Sequence, residues 1–196
     1  MIKRIVDLFF STMGLVILSP IFIILAIWIK RDSVGPIFFR QARVGQYGIP
    51  FNIFKFRTMV VDSTFKGPLI TVSEDHRITK IGKVLRHYKL DELPQLINVF
   101  KGEMSLVGPR PEVPRYVEMF KKEYDAVLRV KPGITDYAAI EFRDEENILK
   151  SYPDPEDGYC RDILPKKIQL YKKYLKNRNF FVDLKIIILT IRNIAK

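Results

Sequence analysis

From Leu8 to Ile29 the sequence reads LFFSTMGLVILSPIFIILAIWI, a run without any charged side chain. Because a bilayer core is crossed by about 20 consecutive apolar residues, this segment is long enough to enter a membrane. Trp28 and a Lys30-Arg31 pair end the run, without the small residues that mark a signal-peptide cleavage site. We therefore expect the segment to remain in the mature protein as a membrane anchor.

The centre and the flanks of this segment argue against a simple straight span. Ser19-Pro20 interrupts the run, and a proline inside a helix removes a backbone donor and kinks the helix. Basic pairs, Lys3-Arg4 and Lys30-Arg31, flank it, and the cytoplasmic preference of basic residues draws both ends to one side. We predict that residues 1–30 form a helix-break-helix that dips into one leaflet. A single span with a mild proline kink is the alternative.

The composition restricts the partners and the metals that the chain can use. A formal charge of +11 predicts an anionic partner, either nucleic acid, anionic lipid or a phosphorylated substrate. Cys160 is the only cysteine, which excludes an intrachain disulfide and a cysteine-rich zinc site. His76 and His87 fit no metal-binding spacing. Any metal is therefore expected to be a hard cation held by carboxylates.

Residues 36–59 carry the pattern of a β-hairpin. Aromatic and polar residues alternate, and Gly45, Gly48 and Pro50 mark a turn between the two strands. Lys55 and Arg57 are two residues apart and are expected on the same face of the second strand. Two neighbouring cations can form a platform for phosphate, although a solvated basic face is the more common meaning of such a pair.

The remainder reads as mainly helical. Apolar spacing predicts helices over residues 79–88 and 93–100, the second ending at Gly102, and an amphipathic helix from Val113 to Val127. Residues 143–162 mix acids with prolines and are predicted to be mainly loop. The fold class is therefore α+β, mainly helical, with a small β-hairpin and a re-entrant membrane helix.

A C-terminal amphipathic helix is also predicted. It is preceded by a run of basic residues and is too short and too charged to span a membrane, but it suits a position at the membrane interface. A helix that faces the protein core fits the same periodicity. One side of it carries six apolar residues, namely Phe180, Leu184, Ile187, Ile188, Ile191 and Ala195.

Asp91 and Glu92 are the candidate catalytic pair. Arg86 lies upstream, and Arg110 lies downstream between two prolines that fix its backbone. A preset guanidinium can hold two phosphate oxygens, and carboxylates beside cations suggest Mg²⁺ bound to a diphosphate. Acids at the start of a helix also serve as simple caps, so the pair alone does not establish an active site.

Three motifs give the sequence its family resemblance. They are KFRTM from Lys55 to Met59, LDELPQLINVFKGEMSLVGPRPE from Leu90 to Glu112, and VKPGIT from Val130 to Thr135. Together with the N-terminal Lys-Arg-x-x-Asp and the Ser19-Pro20 break, they resemble the bacterial sugar transferase family. These monotopic phosphoglycosyl transferases begin glycoconjugate assembly on undecaprenyl phosphate, and the resemblance extends over nearly the whole chain.

The resemblance implies transfer of a sugar-1-phosphate from a UDP-sugar to undecaprenyl phosphate, with release of UMP and a requirement for Mg²⁺. The product would be a polyprenyl diphosphate-sugar, the first membrane intermediate of a capsule, exopolysaccharide, O-antigen or glycoprotein glycan. By similarity, Asp91 is the nucleophile that forms a covalent phosphosugar, and Glu92 is the partner acid that helps Asp91 hold the metal. Arg110 is expected to bind phosphate. Positions near the nucleotide sugar or the acceptor are implied for Lys55, Arg57 and Arg86.

The implied location is the bacterial inner membrane, with residues 31–196 as a membrane-associated catalytic domain on the cytoplasmic side. After VKPGIT, the strings Asp136-Tyr137-Ala138 and Phe142-Arg143-Asp144 depart from the family pattern, so the donor sugar is not identified. A membrane-tethered basic protein that binds anionic lipid or nucleic acid without catalysis is the alternative from another class. No nucleic-acid-binding module is recognisable, so we expect no nucleic-acid partner.

Overall fold

The computed structural model describes residues 2–61 and 75–194, and these form a mainly helical α+β fold, as predicted. The strands are β1 (Phe38–Val44), β2 (Pro50–Phe56), β3 (Ser105–Val107) and β4 (Gly133–Thr135). The helices are α1 (Ile2–Asp32), α2 (Lys80–His87), α3 (Gln95–Lys101), α4 (Pro114–Met119), α5 (Lys121–Val127), α6 (Tyr137–Glu141), α7 (Glu145–Lys150), α8 (Pro155–Gly158), α9 (Leu164–Asn177) and α10 (Phe180–Ile194).

Helix α1 runs without interruption through Ser19 and Pro20, so the predicted helix-break-helix is not found in the backbone. Proline has no N–H to offer the carbonyl four residues earlier, which belongs to Val16. The Ser19 hydroxyl donates to that carbonyl oxygen at 2.8 Å and replaces the missing bond. Among the described residues, α1 is the one helix long and apolar enough to cross a membrane.

The N-terminal end of α1 is fastened to the folded domain by polar contacts. Arg4 donates to the carbonyl oxygens of Val99 at 2.6 Å and of Phe100 at 2.8 Å, where α3 ends. Asp7 is buried and accepts a hydrogen bond from the Ser105 hydroxyl at 3.0 Å. A basic residue and an acid of the N-terminal motif therefore bind α1 to two different elements of the domain.

The C-terminal end of α1 is fastened to the same domain. The Arg57 guanidinium donates to the carbonyl oxygens of Ile29 at 3.2 Å, Ser33 at 2.6 Å and Val34 at 2.8 Å. Ile29 lies in the last turn of the helix, where its carbonyl also accepts from the Ser33 N–H at 3.3 Å, and Ser33 and Val34 directly follow the helix. Leu25 and Ile29 are buried in a cluster with residues of β2 and α2. Both ends of α1 thus bind one domain, while much of its remaining surface is apolar and exposed.

Strands β1 and β2 pair antiparallel from Phe38 opposite Phe56 to Val44 opposite Pro50, which confirms the predicted hairpin. A second, parallel pair, β3 with β4, was not predicted. Gly108 and Gly133 make this pairing possible, because a Cβ on Gly133 would lie 2.1 Å from the Gly108 nitrogen. The motifs VGPRP and VKPGIT therefore meet at their glycines.

One predicted helix and one predicted loop need correction. The predicted helix from Val113 to Val127 is two helices, α4 and α5, separated at Phe120, where φ is −117° and ψ is 36°. Residues 143–162, predicted to be mainly loop, contain α7, α8 and most of a short π-helix, Tyr159–Ile163. In this region the side chains of Leu149 and Tyr159 enter the largest core cluster. Tertiary burial therefore stabilises helices that the local composition does not favour.

Helix α10 packs on the domain and also keeps an exposed apolar side. Ile186 is fully buried, whereas Phe181 is 78%, Ile188 50% and Ile191 63% exposed. The predicted stripe from Phe180 to Ile191 is largely this exposed side, and Ala195 lies outside the described residues. The helix thus has both a core-facing side and an exposed apolar side.

Candidate active site

Asp91 and Glu92 lie on a short 3-10 turn, Leu90–Glu92, between α2 and α3. The preceding residue, Lys89, has φ 55° and ψ 22°, a left-handed conformation that non-glycine residues adopt rarely. The Lys89 ammonium donates to the Arg143 carbonyl oxygen at 3.2 Å. This sharp reversal after α2 presents the acid pair next to β2 and to the loop between β3 and α4.

Glu92 is held by two cations. Its Oε1 accepts from Lys55 Nζ at 2.9 Å, and Arg110 grips both carboxylate oxygens, with Nη1 2.9 Å from Oε2. Burial favours protonation of Glu92, but the charges and hydrogen bonds of Arg110 and Lys55 outweigh it and hold the pKa of Glu92 well below its ordinary value. Glu92 is therefore a carboxylate whose charge is matched by its neighbours.

Asp91 has a different environment, although it is the adjacent residue. It is 8% exposed, and its Oδ1 has no hydrogen-bond partner in the described part of the chain. Burial raises the pKa of Asp91 to about 6, against the opposing charge of Lys55. Two neighbouring acids thus differ in their pKa and their partners, as in sites where two carboxylates have separate roles.

Asp136 positions the loop that carries Arg110, and sequence reasoning missed it. This side chain is fully buried; its Oδ2 accepts from the Arg110 backbone N–H at 2.9 Å, and its Oδ1 accepts from the Ala139 N–H at 2.6 Å. The second bond caps α6, and an aspartate before a helical run is a recognisable capping signal. Its bond to Arg110 crosses 26 residues, and no local pattern announces it.

The other predicted basic residues are distributed differently. Arg86 forms an ion pair with Glu146 of α7 and lines the same cavity as Lys55 and Arg110. Arg57 follows the end of β2, is 4% exposed and turns its guanidinium to the end of α1. The structure therefore brings Lys55 and Arg110 to Glu92, places Arg86 on the cavity wall and does not bring Arg57 to this group.

A second polar network borders the cavity and was also missed from the sequence. Glu112 accepts from Arg43 Nη1 at 2.9 Å and from the Tyr159 hydroxyl at 2.5 Å. Lys167, which is buried, donates to Glu145 at 2.6 Å and to the Tyr159 hydroxyl at 3.5 Å. These hydrogen bonds connect the Pro-Arg-Pro loop to α7 and α9, so buried polar side chains hold the loop in position.

The acid pair suits a hard divalent cation. Asp91 Oδ1 is a buried carboxylate oxygen without a partner, and magnesium is commonly held by one or two carboxylates together with substrate phosphates and water. No group of three or more His, Cys, Asp and Glu side chains that could hold a metal occurs within residues 2–61 and 75–194. A cation here would therefore take the rest of its ligands from phosphate and water.

A cavity of about 1330 Å³ opens onto this group. Its polar wall includes Lys55, Arg86, Lys89, Glu92 and Arg110. Four of these five side chains are cationic, so the cavity favours an anionic ligand.

Fold and site together define a protein with a long apolar helix and a cation-lined cavity that is bordered by Glu92 and has the buried Asp91 behind its wall. The chain belongs to the bacterial sugar transferase family, whose model matches residues 1–196. This confirms the resemblance drawn from the three motifs.

Similar proteins of known name carry the same domain. The chain is 37% identical over 193 residues to a UDP-glucose:undecaprenyl-phosphate glucose-1-phosphate transferase of Klebsiella pneumoniae, covering 96% of this chain and 39% of the relative. It is 35% identical over 198 residues to a UDP-N-acetylgalactosamine-undecaprenyl-phosphate N-acetylgalactosaminephosphotransferase of Aeromonas hydrophila, covering 98% and 43%. It is also 37% identical over 194 residues to the uncharacterized sugar transferase EpsL of Bacillus subtilis, covering 98% and 87%. The chain thus spans about two fifths of the length of the first two relatives.

Proposed function

We propose that this protein transfers a sugar-1-phosphate from a UDP-sugar to undecaprenyl phosphate. One observation carries the proposal: a buried, unpartnered carboxylate, Asp91, stands beside Glu92 and its clamp of Arg110 and Lys55. These residues lie in the motifs that resemble the bacterial sugar transferase family, to which the chain belongs. The named relatives act on UDP-glucose or UDP-N-acetylgalactosamine and on undecaprenyl phosphate, so the donor sugar of this chain is left open.

The proposed reaction has two phosphoryl-transfer steps at one phosphorus atom. In the first, an Asp91 carboxylate oxygen attacks the sugar-linked phosphorus of the UDP-sugar; the bond to the bridging oxygen breaks, and UMP leaves with the electron pair. In the second, an oxygen of the acceptor phosphate attacks the same phosphorus, and the bond to Asp91 breaks to restore the carboxylate. The product is a polyprenyl diphosphate-sugar, as required for the first membrane step of glycoconjugate assembly.

The side chains support this chemistry mainly by positioning and by charge. Phosphoryl transfer requires little of a protein beyond alignment and neutralisation of the phosphate oxygens. Arg110 and Lys55 are preset by their ion pairs to Glu92 and border the cavity in which a diphosphate would lie. Asp91 must turn toward the cavity to reach phosphorus, and its Oδ1 has no hydrogen bond to break when it does so.

Mg²⁺ is the expected cofactor, and Asp91 and Glu92 are the residues that would hold it. When bound, the cation would neutralise charge on the diphosphate oxygens. The unpartnered Asp91 oxygen supports this assignment, whereas Glu92 is already paired with two cations. Arg110 and Lys55 are then free to exchange Glu92 for phosphate oxygens as the donor enters.

We further propose that α1 is re-entrant, with both of its ends on the cytoplasmic side of the inner membrane. The contacts of Arg4 and Asp7 at one end, and of Arg57 with Ile29 at the other, join both ends to the domain formed by residues 31–196. The exposed apolar sides of α1 and α10 would lie in the same leaflet, which makes the protein monotopic. This arrangement puts the acid pair near the headgroups of the acceptor lipid.

The substitution Asp91→Asn tests the catalytic proposal. With detergent-solubilised protein, Mg²⁺, undecaprenyl phosphate and a panel of UDP-sugars, the wild type should release UMP and become labelled by a radioactive sugar phosphate. Asp91→Asn should lose both activities because an amide is not a competent nucleophile. Asp125→Asn, which changes an exposed acid paired with Arg129, is the matched control and should keep both.

The outcomes separate enzyme from binding protein. Substantial labelling of Asp91→Asn would remove Asp91 from its proposed role. Binding of anionic lipid without UMP release from any UDP-sugar by the wild type would favour a membrane-tethered binding protein instead. The topology has its own test: in a Cys160→Ser background, Ile2→Cys should resist an impermeant thiol reagent applied to intact cells, and labelling from outside would refute the re-entrant helix.

A further inference from the structure

Gln95, which follows Asp91 by four residues, is a buried side chain without a hydrogen-bond partner. It is fully buried, and within the described residues its Oε1 accepts no hydrogen bond and its Nε2 donates none. A side-chain amide offers two N–H donors and one acceptor oxygen, and burying them unpaired costs free energy. Such groups are rare in native proteins, and a role in catalysis is one reason why they are kept.

Asn98, on the same helix, shows how this fold uses an amide that has a structural role. Its side chain is also fully buried, but it accepts from the Phe54 N–H at 2.9 Å. It donates to the Asn52 carbonyl oxygen at 2.8 Å and to Glu103 at 2.7 Å. Two of these bonds join α3 to β2. The Gln95 amide makes no bond of this kind among the described residues, so it does not hold two elements together.

Asp91 and Gln95 lie on the buried face of one helical segment. Leu93 and Pro94 have right-handed helical dihedral angles and connect the 3-10 turn Leu90–Glu92 to α3. The buried residues of this segment follow the i, i+3, i+4, i+7, i+8 spacing of a single helix face. They are Asp91, Pro94, Gln95, Asn98 and Val99. The acid and the amide are therefore one turn apart on the same face.

The two side chains are chemically complementary. Asp91 Oδ1 is a buried acceptor and Gln95 Nε2 a buried donor, and neither has a partner in the part of the chain that the structure describes. Residues four apart on a helix are neighbours, with Cβ atoms about 5–6 Å apart, and hydrogen bonds between glutamine and aspartate form at this spacing. A rotation of the Gln95 side chain can therefore join the two groups without breaking an existing hydrogen bond.

We propose that Gln95 is a positioning residue for Asp91: its side-chain N–H donates to one oxygen of the Asp91 carboxylate and leaves the other oxygen facing the phosphorus. The inference rests on the proposed function and adds a residue to its first step. The bond forms as Asp91 turns toward the cavity with a UDP-sugar bound. The accepting oxygen keeps a second lone pair, so it can still bind a cation. In the covalent intermediate it is the C=O oxygen and continues to accept from Gln95.

This role predicts opposite effects of one substitution on stability and on rate. Without a donor the Gln95 amide makes no bond, so an apolar side chain of similar length removes only a buried, unpaired polar group. Gln95→Met should therefore leave the midpoint of thermal unfolding unchanged or raise it. In the reaction, the same change leaves the Asp91 carboxylate free to turn to unproductive orientations, and a misplacement of about 1 Å can cost roughly a hundredfold in rate.

Gln95→Met and Gln169→Met together test the proposal. Gln169 is exposed on α9, so it provides the same chemical change outside the buried site. Each detergent-solubilised protein is mixed with Mg²⁺ and the radioactive UDP-sugar that labels the wild type best, without acceptor. The rate of labelling in a single turnover, followed over a range of UDP-sugar concentrations, separates the first chemical step from donor binding. Thermal unfolding of the same preparations is measured without donor.

We expect Gln95→Met to lower the maximal labelling rate about tenfold to a hundredfold. The UDP-sugar concentration that gives half of the maximal rate should stay as in the wild type, because Gln95 acts through Asp91 and does not bind the donor. Gln169→Met should match the wild type in both measurements. A slower first step in a protein that is equally or more stable is a combination that a merely structural amide would not produce.

Two results would overturn the proposal while the proposed function stands. Labelling of Gln95→Met at the wild-type rate would show that Asp91 does not need the amide. A lower midpoint of unfolding in both Gln95→Met and Gln95→Leu, or a failure of both to fold, would show that the amide makes a structural bond instead. The proposed function fails separately: if no UDP-sugar labels the wild type, or if Asp91→Asn is still labelled, the role of Gln95 fails with that of Asp91.

Discussion

Asp136→Ala should remove the hydrogen bond that holds the Arg110 loop against α6. The substitution removes two buried acceptors: the cap of α6, which contributes about 1 kcal/mol, and the partner of the Arg110 N–H, whose loss costs about 1–3 kcal/mol in a buried site. Burial raises the pKa of Asp136, so relief of a desolvated carboxylate offsets part of this loss. The two losses sum to about 2–4 kcal/mol, so after this offset we expect a net destabilisation of about 1–3 kcal/mol, or roughly 2–12 °C in thermal unfolding.

Hydrogen exchange locates the effect of this substitution. Residues 108–112 should lose protection in Asp136→Ala, since the Arg110 amide then has no protein acceptor, and UMP release should fall with it. Unchanged exchange in that segment would refute the reasoning, whatever happens to stability. Asp136→Asn keeps one side-chain oxygen. Compared with Asp136→Ala, it should restore the cap of α6, and with it stability, more fully than it restores UMP release. Asp154→Ala is the matched control, because it uncaps α8 in the same manner without touching the loop.

Three other substitutions have defined expectations. Gly133→Ala should lower the free energy of unfolding by at least about 1–3 kcal/mol, because its Cβ would collide with the Gly108 backbone; thermal unfolding in detergent measures this. Arg57→Lys should destabilise the protein by about 1–3 kcal/mol and leave the KM for the UDP-sugar unchanged. A raised KM would instead indicate that Arg57 binds the donor. Replacing Ser19 with alanine and Pro20 with leucine should favour a true span and lower activity; unchanged accessibility of an N-terminal cysteine would show that this pair does not set the topology.

Local signals explain the elements that the sequence predicted well. The helix expected over residues 79–88 is α2, because the Thr79 side chain accepts from the Gly82 N–H and caps it. The helix expected over residues 93–100 is α3, which ends at Gly102 with φ 87°. Each of these signals acts within a few residues, so a single sequence is sufficient to recognise it.

Contacts between distant residues explain what could not be predicted. The parallel pairing of β3 with β4 depends on two glycines 25 positions apart in the sequence, Gly108 and Gly133, and neither strand is long enough to show an alternating pattern. Arg57 and Lys55 share a strand pattern, but β2 ends at Phe56, and the Arg57 guanidinium turns away from the site to the carbonyls of Ile29, Ser33 and Val34 at and after the end of α1. The same pattern of two cations therefore yields one residue beside Glu92 and one that fastens a helix.

The contacts at both ends of α1 restrict how this helix can lie in a membrane. A straight 31-residue helix is about 46 Å long, more than the roughly 30 Å of a hydrocarbon core. If α1 spanned the bilayer, Arg4 and Arg57 would stand near opposite faces, and at least one of their sets of contacts with the domain would break. Keeping both sets requires both ends on one side. The buried Asp7 and Arg57 would then hold the helix at a fixed depth, and with it the height of Asp91 above the acceptor phosphate.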